Sequence, residues 1–140
     1  MVETRILDTD TFTLYRIGRR TLVSRIDAEP ISSIAVSVIT VEEQFTGWQA
    51  LLRHSKTDAQ LAETYLRLTE SARALSGLHI FTLTEAAVAR YRSLLAMKLN
   101  IGRMDLRIAA IALEENATVI SRNLRDFQRV PGLTCENWAD

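Results

Sequence analysis

Apolar and polar positions alternate in blocks along this chain, and the period of each block predicts its element. Arg5-Ile6-Leu7 is a short β-prone run that ends on Asp8-Thr9-Asp10, a group of turn and cap residues. Residues 11–26 predict one or two short helices, interrupted near Gly18. Ile34-Ala35-Val36-Ser37-Val38-Ile39 is apolar on nearly every position, as strands buried on both faces are. Thr40-Val41-Glu42-Glu43 has the T-x-x-E form of a capping box and predicts a helix from there to about residue 54. Thr57-Asp58-Ala59-Gln60 repeats the signal. Behind it Leu61, Tyr65, Leu68, Ala72 and Leu75 form an apolar stripe expected to face the core, and Gly77 closes that helix. Further strands are predicted at 80–83 and 118–121, helices at 84–99 and 104–115, a loop at 123–132 and a short last strand within 133–138.

Strands alternating with helices imply βαβ units, right-handed crossovers and a mainly parallel sheet, hence a three-layer α/β domain. No repeat, linker or low-complexity tract divides residues 1–140, so a single domain is expected. That length can bury a core without metal or disulfide staples. The longest apolar run, 108–113, is far below the roughly 18 residues of a membrane span. Residues 1–5 lack the apolar core of a secretory leader, which points to the cytosol. Cys135 has no disulfide partner, and His54 and His79 are too scattered to suggest zinc. The 17 basic residues balance 17 acidic ones, which argues against a bulk electrostatic grip on nucleic acid but says nothing of local patches.

In such a sheet all strands end at one edge, and each helix that follows a strand begins there. Asp8 and Asp10 follow the first strand, and Glu43 lies near the start of the helix after the second. Asp105 opens the helix that runs back to feed the strand at 118; Asn123 and Asp126 lie just past that strand. Acidic segments distant in sequence are thus expected at the edge where open α/β folds bind ligands. Clustered hard oxygens suit Mg²⁺ or Mn²⁺, and like charges so crowded make sense mainly around a cation. Such an ion can activate a water and neutralise charge on a phosphodiester. Each residue also has a plainer role. Asp8 suits an Asx turn, Glu43 a capping partner for Thr40, Asp105 a helix dipole, and Asn123 and Asp126 a turn. Asp10 is assigned to capping the next helix; for the others, coincidence of place favours the metal site.

These positions also carry a resemblance. Ile6-Leu7-Asp8-Thr9-Asp10 resembles the opening hydrophobic-Asp-Thr-Asn/Asp motif of PIN-domain ribonucleases, and Val38-Ile39-Thr40-Val41-Glu42-Glu43-Gln44 their S-x-I-T-x-x-E segment. Gly102-Arg103-Met104-Asp105-Leu106-Arg107-Ile108-Ala109-Ala110 is similar to their G-x-x-D-x-x-I-A-A helix. Ser121-Arg122-Asn123-Leu124-Arg125-Asp126-Phe127, with Val130-Pro131-Gly132-Leu133 and Glu136-Asn137-Trp138, resembles the T-R-N-x-x-D-F…PGL…E-x-W ending of VapC-type toxins. The resemblance implies a three-layer α/β/α PIN-like fold and an endoribonuclease that uses Mg²⁺, or Mn²⁺, as the toxin of a type II toxin–antitoxin pair. Asp8, Glu43 and Asp105 match the acidic positions, with Asp8 and Asp105 the metal ligands and Glu42 an extra, solvent-facing acid. Many members carry Asp where this chain has Asn123; Asp126 is the alternative fourth acid. The implied chemistry is in-line attack by metal-activated water, leaving 5′-phosphate and 3′-hydroxyl ends. A homodimer, a cognate antitoxin that places a residue in the active site, and an RNA substrate follow from the same resemblance.

Fifteen of the 17 basic residues are Arg, suited to bidentate phosphate contacts. Arg103, Arg122 and Arg125, with Asn123, are the candidate substrate contacts; Arg107 and Arg129 are as readily solvated charges or partners of Glu114 and Glu115. Trp48 and Trp138 are expected in core or interface. Any exposed part of the Leu61 to Leu75 stripe would be a groove for an antitoxin helix. Two other classes compete. A receiver domain of two-component signalling fits poorly, because no Lys follows Lys98 and Ile39-Thr40 follows Val38. A catalytically silent PIN-like scaffold that binds only a partner is kept open by Asn123.

Overall fold

A computed structural model describes residues 3–140; Met1 and Val2, part of the leader region considered above, lie outside the described residues. Five strands form one sheet: β1 (Arg5–Leu7), β2 (Ile34–Ser37), β3 (His79–Phe81), β4 (Thr118–Ile120) and β5 (Cys135–Glu136). All pairings are parallel, in the order β3-β2-β1-β4-β5. The helices among the described residues are α1 (Thr9–Arg16), α2 (Arg20–Asp27), α3 (Val38–Arg53), α4 (Asp58–Ser76), α5 (Glu85–Ala96), α6 (Arg103–Glu114) and the one-turn α7 (Leu124–Phe127).

Strand alternation divides the core into two layers. Ile6, Ala35 and Val119 pack with the α5 and α6 side chains Tyr91, Leu94 and Ile108. Their neighbours Leu7, Val36 and Ile120 face the other way, onto Phe12 and Leu14 of α1, Leu22 and Ile26 of α2, and Leu75. Because both faces are covered, the central strands read as continuous apolar runs rather than alternating ones. This is the expected three-layer α/β/α sandwich, with a sheet parallel throughout. The two-helix reading of 11–26 also holds: Gly18, at φ +86°, supplies the left-handed turn between α1 and α2.

Several expectations are corrected. The second strand stops at Ser37, which is the N-cap of α3, so Val38 and Ile39 are helical and Thr40 is no cap. The capping-box reading of Glu43 falls with it. Asp10 caps nothing: Asp8 is the N-cap of α1, its carboxylate accepting the Thr11 N–H at 2.9 Å. The predicted loop at 123–132 contains α7, and the last strand shrinks to two residues. The α4 stripe is only partly core. Leu75 is buried, but Leu61 and Tyr65 are 41% and 53% exposed. A helix of 19 residues is roughly 28 Å long, whereas the three-residue β3 offers only about 10 Å of sheet edge. Full burial on α4 is confined to Ser71 and Leu75 in its C-terminal half, while Ala59, Glu63 and Arg67 line an open groove with Trp48 and Leu51 of α3.

Trp138 closes the fold at the other end of the chain. It is 2% exposed, with the guanidinium carbons of Arg25 and Arg5 4.5 and 5.3 Å from its ring centroid. The Thr21 hydroxyl donates to the Ala139 carbonyl at 2.6 Å, which fastens the C-terminal residues to α2.

Candidate active site

The topology delivers the acids to one place. The Asp8 N–H donates to the Ile120 carbonyl at 3.1 Å, so β1 and β4 end side by side. Asp8 follows β1 directly, Glu43 lies in the second turn of α3 after β2, and Asp105 lies in the first turn of α6. Asp8, Glu43, Asp105, Arg122 and Asn123 line one open pocket of about 740 Å³. Thr9, Asp10 and Asp140 complete its wall. Arg103 and Arg125 are exposed and Asp126 is half-buried; all three lie outside this lining.

Asp8 is held at both oxygens. Besides the Thr11 N–H on Oδ1, the Ser121 hydroxyl donates to Oδ2 at 2.6 Å. Burial pushes its carboxyl above the ordinary range; hydrogen bonds from Ser121 and Thr11 oppose this, and the charge of Asp10 adds to it. Glu43 Oε1 accepts the Thr9 hydroxyl at 2.6 Å, and Thr9 Oγ1 lies 3.0 Å from Thr40 Oγ1. A hydroxyl has one proton to give. With Thr9 donating to Glu43, the fully buried Thr40 must donate to Thr9, so two threonines act in series to fix one carboxylate.

Asp105 is different. Among the described residues it has no hydrogen-bond or ion-pair partner, and its carboxyl is pushed up to about 6. Burial is the largest cause, followed by the negative charges of Asp8, Glu43 and Asp126. At the rim, Arg122 grips Asp10 through two hydrogen bonds, 2.9 and 3.2 Å, which leaves the inner acids uncompensated. On the β4 side, Asn123 Nδ2 donates to Asp126 Oδ2 at 2.8 Å, while Arg129 lies 3.2 Å from Asp126 Oδ1.

Among the described residues no three His, Cys, Asp or Glu side chains close into a preformed ligating set. The donors still fit Mg²⁺ or Mn²⁺. They are oxygens only, their charge is unbalanced at Asp105, and Mg²⁺ retains several waters and needs only one or two direct carboxylates. Asp8 and Asp105 would hold such an ion.

Sequence reasoning missed four contributors: Thr9, Thr40, Ser121 and Asp140. The first three are hydroxyl residues in the first turn of a helix or just past the end of a strand, a signal indistinguishable from ordinary capping and turn chemistry. Asp140 reaches the pocket wall through the pinned C-terminal residues, where Arg19 pairs with it at 3.1 Å; nothing in its local sequence marks this.

Comparison with known proteins agrees with this fold. The family model described as PIN domain matches residues 6–133. Ribonuclease VapC2 of Haemophilus influenzae is 32% identical over 135 residues, 95% of this chain and 96% of that protein. Ribonuclease VapC2 of Rickettsia felis is 50% identical over 38 residues, a match spanning 27% of this chain and 28% of that protein. Among solved structures, VapBC2 from Rickettsia felis bound to a DNA fragment from its promoter superposes with a TM-score of 0.71 at 28% identity, covering 96% of this chain and 98% of that one.

Proposed function

This chain belongs to the PIN-domain family, and on that footing we propose that it is a ribonuclease, the toxin of a toxin–antitoxin pair, cutting RNA phosphodiesters with Mg²⁺ or Mn²⁺. The observation that carries the reading is the uncompensated Asp105 facing Asp8 and Glu43 in one open pocket. The names of the relatives supply the substrate class, and the toxin–antitoxin assignment rests on the VapBC likeness.

When bound, the cation would lower the pKa of a coordinated water and offset charge on the phosphoryl oxygens. The chain's own groups do the rest. Asp8 and Asp105 would hold the ion. Glu43, aimed by Thr9, accepts a proton from the attacking water as it aligns with the scissile phosphorus. Arg122 and Asn123 meet the RNA backbone at the pocket wall, and Arg103 and Arg125 extend that contact outside it. The protein works in the cytoplasm as a homodimer restrained by a cognate antitoxin. No helix among the described residues is long and apolar enough to cross a membrane.

The test is cleavage of structured RNA by the partner-free chain with Mg²⁺, with EDTA, and as Asp8→Asn. Cleavage is expected only for the unaltered chain with Mg²⁺. Cleavage that survives EDTA or the substitution would overturn the metal mechanism. A partner-binding scaffold is favoured instead by one observation, the neutral Asn123 in the pocket lining where many family members carry Asp. It predicts neither cleavage nor metal uptake.

A further inference from the structure

The fourth position of the pocket is occupied by an amide, and its surroundings fix which end of that amide faces inward. Asn123 lines the pocket, whereas Asp126 does not. Asp126 has both oxygens engaged, Oδ2 by Asn123 Nδ2 at 2.8 Å and Oδ1 by Arg129 at 3.2 Å. Arg129 is itself anchored, donating to the Leu99 and Asn100 carbonyls at 3.2 and 3.0 Å. A paired, ionised carboxylate only accepts hydrogen bonds, so it takes the NH₂ end of its neighbour and never the oxygen end. The main chain of Asn123 is fixed as well, its N–H donating at 2.8 Å to the Ser121 hydroxyl that in turn holds Asp8. Among the described residues the Asn123 side-chain oxygen is left with no protein partner, on a residue that borders the acids.

We propose that Asp126 is a positioning residue: anchored by Arg129, it turns the Asn123 carboxamide so that Oδ1 is offered to the pocket as a neutral oxygen donor. The pocket thereby gains an oxygen without adding a further negative charge to the acids already lining it. This rests on the cation-binding reading above. It assigns Asp126 an indirect part, acting on the ion or its waters only through Asn123.

The experiment is a double-mutant cycle on the partner-free full chain, comparing Asn123→Ala, Asp126→Asn and the two together. Mn²⁺ affinity is read by isothermal titration calorimetry, and thermal melts confirm folding. Displacing a residue that orients a ligand typically weakens metal binding by about tenfold or more. Each single variant is therefore expected to bind Mn²⁺ roughly tenfold more weakly, and the double variant no worse than Asn123→Ala within about twofold. The swap Asn123→Asp/Asp126→Asn keeps an inward oxygen whichever way the side chain turns, and is expected to restore affinity at least to that of the unaltered chain. Additive losses, an effect of Asp126→Asn that persists without Asn123, or no effect of either single variant would overturn the proposal. If the unaltered chain takes up no Mn²⁺ at all, the cation-binding reading fails and this proposal falls with it. That outcome is distinct from binding with additive losses, which removes this proposal alone.

Discussion

Replacing Asp105 by Asn keeps the shape of the side chain and removes its charge, and the structure predicts that the metal-free protein becomes more stable. The carboxyl is raised from 3.8 to about 6, so its ionised form is disfavoured in the folded state. At about 1.36 kcal/mol per pKa unit, the shift corresponds to a ceiling of roughly 3 kcal/mol at neutral pH. Asp105 is only half-buried, and solvent screening reduces the expected gain to about 1–2 kcal/mol. For a chain of this length that is a rise in Tm of roughly 3–8 °C. The sign follows from proton counting. Between about pH 4 and 6 the folded state binds the proton that the unfolded state has released, so native stability falls as pH rises across that window. The difference between Asp105→Asn and the unaltered protein should be near zero at pH 4, open through pH 5, and level off above pH 6 to 7. Thermal melts of both proteins in EDTA at those pH values measure it. Adding Mg²⁺ should stabilise only the unaltered protein and narrow or reverse the gap, since a ligand of the native state raises its stability. An Asp105→Asn protein no more stable than its parent at pH 7.5 in EDTA would refute the idea that the pocket stores uncompensated charge.

Thr9→Val removes the donor that aims Glu43 and strands the buried Thr40 hydroxyl; cleavage of structured RNA with Mg²⁺ should slow by about tenfold or more, as expected when a general base loses its positioning. Trp138→Ala should cost about 3–5 kcal/mol in urea denaturation, because the ring is buried between two guanidinium groups. Tyr65→Ser, at an exposed position in the N-terminal half of α4, should change stability by no more than about 0.5 kcal/mol in the same assay.

The elements were legible where the pattern had one physical cause. Short apolar runs at β1, β2 and β4, bounded by turn and cap residues and alternating with longer helical periods, are the pattern of strands covered on both faces, and that alternation is what implied a parallel sheet. That sheet sufficed to bring Asp8, Glu43 and Asp105 to one edge, and the structure does bring them to one pocket. Local signals failed where two causes write the same letters. Thr40 and Glu43 spell a capping box, but the helix starts two residues earlier, and both side chains serve the site through Thr9 instead. Asp8, read as an Asx-turn residue or a metal ligand while capping was given to Asp10, is both the cap of α1 and a pocket acid. The α4 stripe has the spacing of a core helix, yet spacing does not report how far the sheet beneath it extends. The roles of Asn123 and Asp126 depend on Arg129 and on the carbonyls of Leu99 and Asn100, a contact across some thirty residues that no local motif encodes.

The balance of 17 basic and 17 acidic residues hides a steep local field. Five carboxylates line the pocket, Asp8, Asp10, Glu43, Asp105 and Asp140, against one guanidinium, Arg122, and that one is already held by Asp10. An RNA phosphate approaching this pocket meets like charge. The Arg side chains outside it cannot remove that repulsion, because exposed charges are screened within roughly 8–10 Å at physiological salt. A divalent cation inside the pocket acts at contact distance on both the carboxylates and the phosphate. On the reading proposed above, cation and RNA therefore bind cooperatively: the cation offsets carboxylate charge that would repel the phosphate, the phosphate adds negative charge that holds the cation, and by linkage each must raise the affinity of the other by the same factor. An acidic pocket with a neutral fourth position is then the arrangement in which the cation governs access as well as chemistry, and an overall charge of zero is what allows the rest of the surface to stay out of that decision.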